Sequence, residues 1–149
     1  MEPGAQSAEQ QIANVLSDYC WYVDRCDVDE VLGLFTDDAT FDLGLGRVHQ
    51  GREAQRMLYE RLDVYTATSH HITNPRIKVS GATADVRSGL YAYHRRRDHS
   101  DLHLWGIYTD EFRLVGDRWL IATRSLRSSA ENGGRPEGDH STQFEPLPR

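Results

Sequence analysis

Residues 65–74 read YTATSHHITN, and this stretch decides how the rest of the chain is interpreted. It is rich in residues that favour β-strands, and a strand turns successive side chains to opposite faces. His70, Ile72 and Asn74 are therefore expected on one face, with His71 on the other. If the first face lines a cavity, an imidazole and an amide both reach it. We predict that His70 is a general base, with His71 as its competitor on the opposite face.

The residues before this stretch predict three helices and two short strands. Apolar residues recur at helical spacing from Ala8 to about Arg25. Asp27 or Asp29 is a candidate N-cap for a short second helix. The second helix is expected to continue to Phe35, followed by a turn at 36–38 and short strands at 39–43 and 47–50. A third helix is expected from Gly51 to about Leu62. Its apolar side would consist of Met57, Leu58 and Leu62.

Four longer strands are expected after the helices, at 70–79, 84–94, 102–114 and 118–127. Asn74-Pro75 predicts a bulge or bend in the first of them. Helices followed by an antiparallel meander predict an α+β fold made of one domain, residues 8–128. Residues 1–7 are expected to form an arm. Residues 129–149, rich in Gly, Pro and polar residues, are expected to form a tail anchored by Phe144 and Leu147.

Composition excludes several classes of function. The 149 residues are 38% hydrophobic, and no apolar run approaches the roughly 18 residues of a membrane helix. A net charge of -6 argues against nucleic acid as a partner, because binding it requires a basic face. The start, MEPGAQSAEQQ, has no secretory pattern, which predicts a cytoplasmic protein. Cys20 and Cys26 are expected to be small core residues without a disulfide.

The order of these segments resembles the SnoaL-like branch of the NTF2-like superfamily over about residues 8–128. Two motifs carry the resemblance: D-x-x-D-x-x-x-V-x-x-L-F-x-D-D-A-x-F, which begins at Asp24, and H-x-x-x-N, which begins at His70. It implies a cone-shaped α+β barrel in which three N-terminal helices pack on a curved, mostly antiparallel sheet. It also implies self-association as a homodimer or homotrimer.

Two lyases of this branch, scytalone dehydratase and hexachlorocyclohexane dehydrochlorinase, are similar to the chain in their active positions. Their shared aspartate and histidine fall on Asp24 and His70. The second histidine of scytalone dehydratase falls on His94, and the arginine of the dehydrochlorinase falls on Arg124. The resemblance therefore implies these four residues as site residues.

Two departures limit what the resemblance implies. Val23 stands where scytalone dehydratase has a tyrosine, and Tyr19 stands where the dehydrochlorinase has a lysine. Neither substrate is therefore carried over to this chain. A bile-acid dehydratase of the same fold has a tyrosine five residues before its aspartate, as Tyr19 is to Asp24.

This set of residues predicts proton-transfer chemistry. An aspartate bound to one imidazole nitrogen raises the basicity of the other, which suits removal of a proton α to a carbonyl or β to a leaving group. On a helical wheel Asp27 points inward at least as well as Asp24, so it is the competing aspartate. The expected remaining roles are protonation of the leaving group by His94 or Tyr19, and binding of an enolate-like oxygen by Arg124, Asn74 or Tyr108.

We therefore predict a cofactor-independent lyase of the dehydratase type, without a metal, acting on a hydrophobic ring-containing or polyketide-like small molecule. A SnoaL-like isomerase or aldol cyclase would use the same aspartate and histidine. Two non-catalytic alternatives are a ligand-binding protein and an assembly subunit like the β-chain of ring-hydroxylating dioxygenases. The sequence leaves these alternatives open.

Overall fold

The computed structural model describes residues 6–132. Residues 1–5 of the predicted arm at 1–7 lie outside these residues, as does most of the predicted tail, including Phe144 and Leu147. The helices and strands are α1 (Ala8–Asp24), α2 (Val28–Leu32), β1 (Phe35–Asp42), β2 (Val48–Gln50), α3 (Gly51–Glu60) with a 3₁₀ turn (Arg61–Val64), β3 (Tyr65–Ser80), β4 (Thr83–Arg96), β5 (Asp101–Val115) and β6 (Arg118–Asn132).

The six strands form one curved, unclosed sheet in the order β2-β1-β6-β5-β4-β3. Neighbouring strands are antiparallel except for the parallel pair β1 and β6. The pairing register shifts in β3 between Thr73 and Arg76, and in β5 next to Gly106. Such bulges bend a strand, and here they accompany the curvature that leaves room for a cavity between the sheet and the helices. The predicted α+β class and the mostly antiparallel sheet are confirmed.

Helix α1 forms where the spacing of apolar residues predicts it. The Ser7 side chain accepts a hydrogen bond from the Gln10 N–H and so caps the first turn. One stripe of the helix is buried against the sheet, namely Ile12, Leu16, Tyr19 and Val23. After Asp24 the backbone turns away, and Cys26 takes a positive φ of 54°. The stripe and the break together fix Asp24 as the last helical residue, one position after the buried Val23.

The structure corrects several local predictions. Phe35 and the predicted turn at 36–38 belong to strand β1. In α3, Met57 is 54% exposed, whereas Gln55 and Tyr59 are buried. Gln55 can be buried because its side-chain amide donates a hydrogen bond of 2.8 Å to the Ala39 carbonyl. Cys26 is exposed rather than part of the core.

Strand β6 continues to Asn132, so the first four residues of the predicted tail extend the sheet beside β5. Within residues 6–132, no helix combines the length and the apolar character needed to cross a membrane. Both cysteines in the described part of the chain are free thiols.

Candidate active site

The end of α1 lies against strand β3, and this contact brings Asp24 to His70. The Asp24 Oδ1 atom is 2.7 Å from His70 Nδ1, and Asp24 Oδ2 accepts a 2.8 Å hydrogen bond from the His70 backbone N–H. The Thr68 hydroxyl donates a third bond, of 3.0 Å, to Asp24 Oδ1. Asp24 is therefore fixed by three donors, all on β3. Asp27, the competing aspartate, instead forms an ion pair with Arg25 near the surface, so it does not take the place of Asp24 beside His70.

These donors keep the Asp24 carboxyl group ionised. Partial burial alone would raise the pKa of Asp24, but the hydrogen bonds from His70 and Thr68 outweigh it and lower that pKa below its usual value. An ionised carboxylate only accepts hydrogen bonds, so Nδ1 of His70 carries a proton. In the neutral ring the lone pair is then on Nε2, which is the arrangement of a general base.

His94 lies next to His70 on the neighbouring strand β4. The two ring centres are 5.1 Å apart and the rings are nearly perpendicular, at 87°. Burial, together with the nearby His70, lowers the pKa of His94 to about 4, so the ring is neutral at pH 7. Its Nδ1 atom is buried and has no hydrogen-bond partner among the described residues.

His70 and His94 both line a cavity of about 140 Å³ between the helices and the concave face of the sheet. Most of its wall is apolar: Val23, Phe41, Leu43, Leu58, Leu62, Leu90, Ala92, Leu104 and Leu126. Three tyrosines, Tyr19, Tyr59 and Tyr108, complete it. The cavity is thus an apolar chamber whose polar groups are two imidazoles and three phenols.

A wider groove, of about 450 Å³, lies on the other side of the Asp24 and His70 contact, between α1 and β3. It is bordered by Trp21, which is 68% exposed, and by His71. His94 and the three tyrosines of the inner cavity do not border it. The inner cavity is therefore the candidate active site, because the titratable groups converge there.

Arg124 is completely buried behind the tyrosines. It forms a bidentate ion pair with Asp110, in which Nε donates to Oδ1 over 2.8 Å and Nη2 donates to Oδ2 over 2.7 Å. Its guanidinium carbon lies 4.3 Å from the ring centre of Tyr19 and 4.1 Å from that of Tyr108. Burial alone would lower the pKa of Arg124, but Asp110 raises it well above the usual value. Arg124 is thus a permanent cation under two tyrosines and does not itself line the cavity.

Two polar residues of the YTATSHHITN stretch lie away from the cavity. Asn74 sits in the β3 bulge with a φ of 51° and is exposed, because the bulge breaks the alternation that would have placed it beside His70. It does not border the cavity. His71 is on the outer face, where its Nε2 lies 2.8 Å from the Ser69 hydroxyl and its ring packs on Tyr91. The structure thus brings His70, and not His71, to Asp24.

Three contributing residues were not predicted from the sequence. Thr68 is two residues before His70, so strand alternation could have placed it on the same face. Asp110 alternates with Tyr108 and Phe112 along β5, and an aspartate at an inward position indicates a buried ion pair. Tyr59 carries a weaker signal, because Met57 and Leu58 suggested a different buried side for α3.

Comparison with known proteins places this chain in a family. The SnoaL-like domain pattern matches residues 5–125. The chain belongs to the SnoaL-like domain family. No match was found among curated proteins.

Solved structures of this SnoaL-like fold extend over nearly the whole chain. A candidate scytalone dehydratase from Novosphingobium aromaticivorans is 28% identical, with a TM-score of 0.84 over 95% of this chain and 93% of that one. A candidate aromatic ring hydroxylase from the same species is 25% identical, with a TM-score of 0.79 over 87% and 96%. A type 3 hexachlorocyclohexane dehydrochlorinase from Novosphingobium barchaimii shares the fold at 17% identity, with a TM-score of 0.77 over 94% and 95%.

Proposed function

We propose that this SnoaL-like protein is a cofactor-independent lyase that removes water from a β-hydroxy carbonyl compound, with Asp24 and His70 as its general base. The observation that carries the proposal is the 2.7 Å contact between the Asp24 carboxylate and His70 Nδ1 at the wall of an apolar cavity. A base held in this way has one proton-accepting nitrogen available to a ligand. Structural similarity to a candidate scytalone dehydratase and to dehydrochlorinases supports elimination as the reaction type.

The reaction follows from the proton positions. His70 Nε2 takes the proton from the carbon α to the carbonyl, and the C–H electron pair moves to form an enolate. The enolate then returns its electrons to make the α,β double bond as the β-hydroxyl group departs. The proton held by His70 leaves with that hydroxyl as water, which restores the neutral imidazole. Asp24 stays ionised and stabilises the imidazolium between the two steps.

We assign His94 the role of a neutral hydrogen-bond donor to the departing hydroxyl. Its buried Nδ1 has no partner among the described residues, and an unpaired lone pair is less costly to bury than an unpaired N–H. The ring proton therefore belongs on Nε2. A pKa of about 4 leaves too little imidazolium at pH 7 for His94 to act as a charged acid. The role expected for His94 from the sequence, protonation of the leaving group, is thus narrowed to donation of a hydrogen bond to it.

The cavity volume limits the substrate. About 140 Å³ is close to the engineered apolar cavity of roughly 150 Å³ that accommodates benzene. We therefore propose a compound with a single six-membered ring rather than a fused polyketide. The apolar walls bind the ring, and the polar groups orient its oxygens.

The experiment uses two reactions of single-ring ketones. Loss of water from 3-hydroxycyclohexanone is followed by the absorbance of the enone, and deuterium uptake next to the carbonyl of cyclohexanone is followed by mass spectrometry. Deuterium uptake without elimination would favour the isomerase or cyclase alternative, since all three reactions begin with the same proton removal. Absence of both reactions would favour a binding or assembly protein and contradict the proposal.

Two variants distinguish loss of the proposed base, Asp24 and His70, from general effects of mutation on the protein. His70→Gln is expected to slow both reactions by about 10²–10⁴-fold, the usual contribution of a general base. His71→Gln is the matched control, because it removes the adjacent imidazole on the opposite face and should leave both rates unchanged. Equal rates in wild type and His70→Gln would show that the base lies elsewhere.

A further inference from the structure

The groove between α1 and β3 lies on the reverse side of the proposed base. Its volume of about 450 Å³ falls in the range of roughly 300–1,000 Å³ that is usual for ligand sites. His70 borders both this groove and the inner cavity, whereas Asp24 borders the groove and not the cavity. A ligand in the groove would therefore meet the Asp24 carboxylate without entering the inner cavity.

The Asp24 carboxylate keeps hydrogen-bonding capacity on the groove side. A carboxylate has about four acceptor sites. Within residues 6–132, Oδ1 accepts from Thr68 and from His70 Nδ1, and Oδ2 accepts from the His70 backbone N–H alone. The Asp24 side chain is 22% exposed. Because Asp24 borders the groove, the remaining acceptor site of Oδ2 is open to a donor bound there.

The charges along the groove favour a cation. Asp24 is the only acidic residue in the described lining, and neither lysine nor arginine borders it. Arg25, the next residue in the chain, is held elsewhere by its ion pair with Asp27 and lies over the ring of Tyr22. An ammonium group in the groove would thus find a partly buried carboxylate without a competing side-chain cation.

An exposed indole gives the groove an aromatic wall. Trp21 is 68% exposed, although it is one of the largest apolar side chains of the described residues. It lies three residues before Asp24 on α1, so the two side chains are neighbours on one face of the helix. Leu16 and Pro75 add apolar surface to the lining. Cations bind favourably against aromatic rings, and tryptophan is the best of these.

We propose that this groove binds an organic ammonium compound, whose N–H group donates to Asp24 Oδ2 and whose apolar or aromatic part packs on Trp21. Such a ligand draws negative charge away from the carboxylate that stabilises the His70 imidazolium. It therefore inhibits proton removal from behind the base. This inhibition rests on the proposed function, whereas the binding itself is tested without turnover.

The test compares phenethylamine, which is an ammonium cation at pH 7, with 2-phenylethanol, in which a hydroxyl replaces the ammonium group. Dissociation constants are measured by calorimetry. The amine should bind the wild type about tenfold more tightly or better, the usual value of a hydrogen bond to a charged group. Equal affinities for the two compounds, or no binding of the amine, overturn the proposal.

The variants locate the bound amine. Asp24→Asn should remove the preference for the amine, and a preference that persists in this variant overturns the site. Asp18→Asn is the matched control, because it removes a carboxylate from the same helix that does not border the groove, and the preference should remain. Trp21→Ala should weaken the amine about 2- to 5-fold. Trp21 is mostly exposed, so this variant should fold even if Asp24→Asn does not; an unchanged affinity overturns the aromatic contact.

Deuterium uptake by cyclohexanone tests the inhibition. Saturating phenethylamine should lower kcat about fivefold or more and leave KM unchanged, since the amine does not enter the inner cavity. A higher KM with unchanged kcat would place the amine in the inner cavity and overturn the groove site. If the wild type prefers the amine through Asp24 but exchanges no deuterium, the groove site stands and the proposed function fails.

Discussion

Acidification should destabilise this protein mainly through His94. The pKa of His94 is about 4 in the folded chain, against 6.5 for an unperturbed histidine. Between these values the unfolded chain binds a proton that the folded chain does not, so stability falls as the pH falls below 6.5 and the loss levels off below 4. At about 1.4 kcal/mol per pKa unit, this difference makes the free energy of unfolding about 3 kcal/mol lower at pH 4 than at pH 7.

The assay is urea unfolding of wild type and His94→Gln between pH 7.5 and pH 4. Glutamine does not titrate, so the wild type should lose about 3 kcal/mol more than the variant over this range. The other six histidines are present in both proteins, so any titration of theirs that does not depend on His94 cancels in the comparison. Asp24 has little effect in this window, because its lowered pKa preserves its contribution until the pH falls below 3.8. Parallel curves would show that His94 titrates normally when folded, and would refute both its low pKa and its assignment as a neutral donor.

Three further predictions concern the stability of the fold and its self-association. Asp110→Asn should destabilise the fold by about 3–5 kcal/mol in urea unfolding, because it leaves the buried Arg124 cation without its partner; a loss below 1 kcal/mol would contradict this. Gly106→Ala should lower the melting temperature, since its Cβ would lie 2.8 Å from the Arg127 carbonyl oxygen, and an unchanged melting temperature would show that the strands separate easily. Trp105→Asp should dissociate the predicted homodimer or homotrimer in sedimentation experiments. Trp105 is 41% exposed and packs with Tyr91 and His103 on the outer face of the sheet. An unchanged mass would place the interface elsewhere.

The two residues of the predicted general base rest on different signals. Strand alternation separates His70 from His71, whereas Asp24 rests on the family resemblance, because the helical period of α1 favours Asp27 at least as well. The same alternation fails at Asn74, because a bulge inserts an unpaired residue and turns the next side chains. Asn74-Pro75 predicted the bulge, but not the direction in which the Asn74 side chain would point.

Long-range packing accounts for what the sequence could not supply. Arg124 is predicted as a ligand-binding residue, yet its partner Asp110 holds it behind the cavity wall. Nothing local to β6 distinguishes an arginine that reaches a ligand from one that reaches an aspartate on β5. The burial of Tyr59 could not be predicted for the same reason. It depends on how α3 packs against Tyr19 and not on the apolar pattern of α3 itself.

The position of Asp24 at the end of α1 is unfavourable for the stability of that helix. A carboxylate in the last turn of a helix opposes the helix dipole, at a cost of about 0.3–1 kcal/mol, and the last turn of α1 has no basic residue to offset it. The three hydrogen bonds from β3 hold the carboxylate there nevertheless. Asp24→Asn removes the repulsion from the helix dipole but weakens these hydrogen bonds, so its two effects on stability oppose each other. In the proposed mechanism the same substitution removes the carboxylate that stabilises the His70 imidazolium. Activity should therefore fall far more than stability, and this is the behaviour expected where a residue breaks a local folding rule for the sake of a reaction.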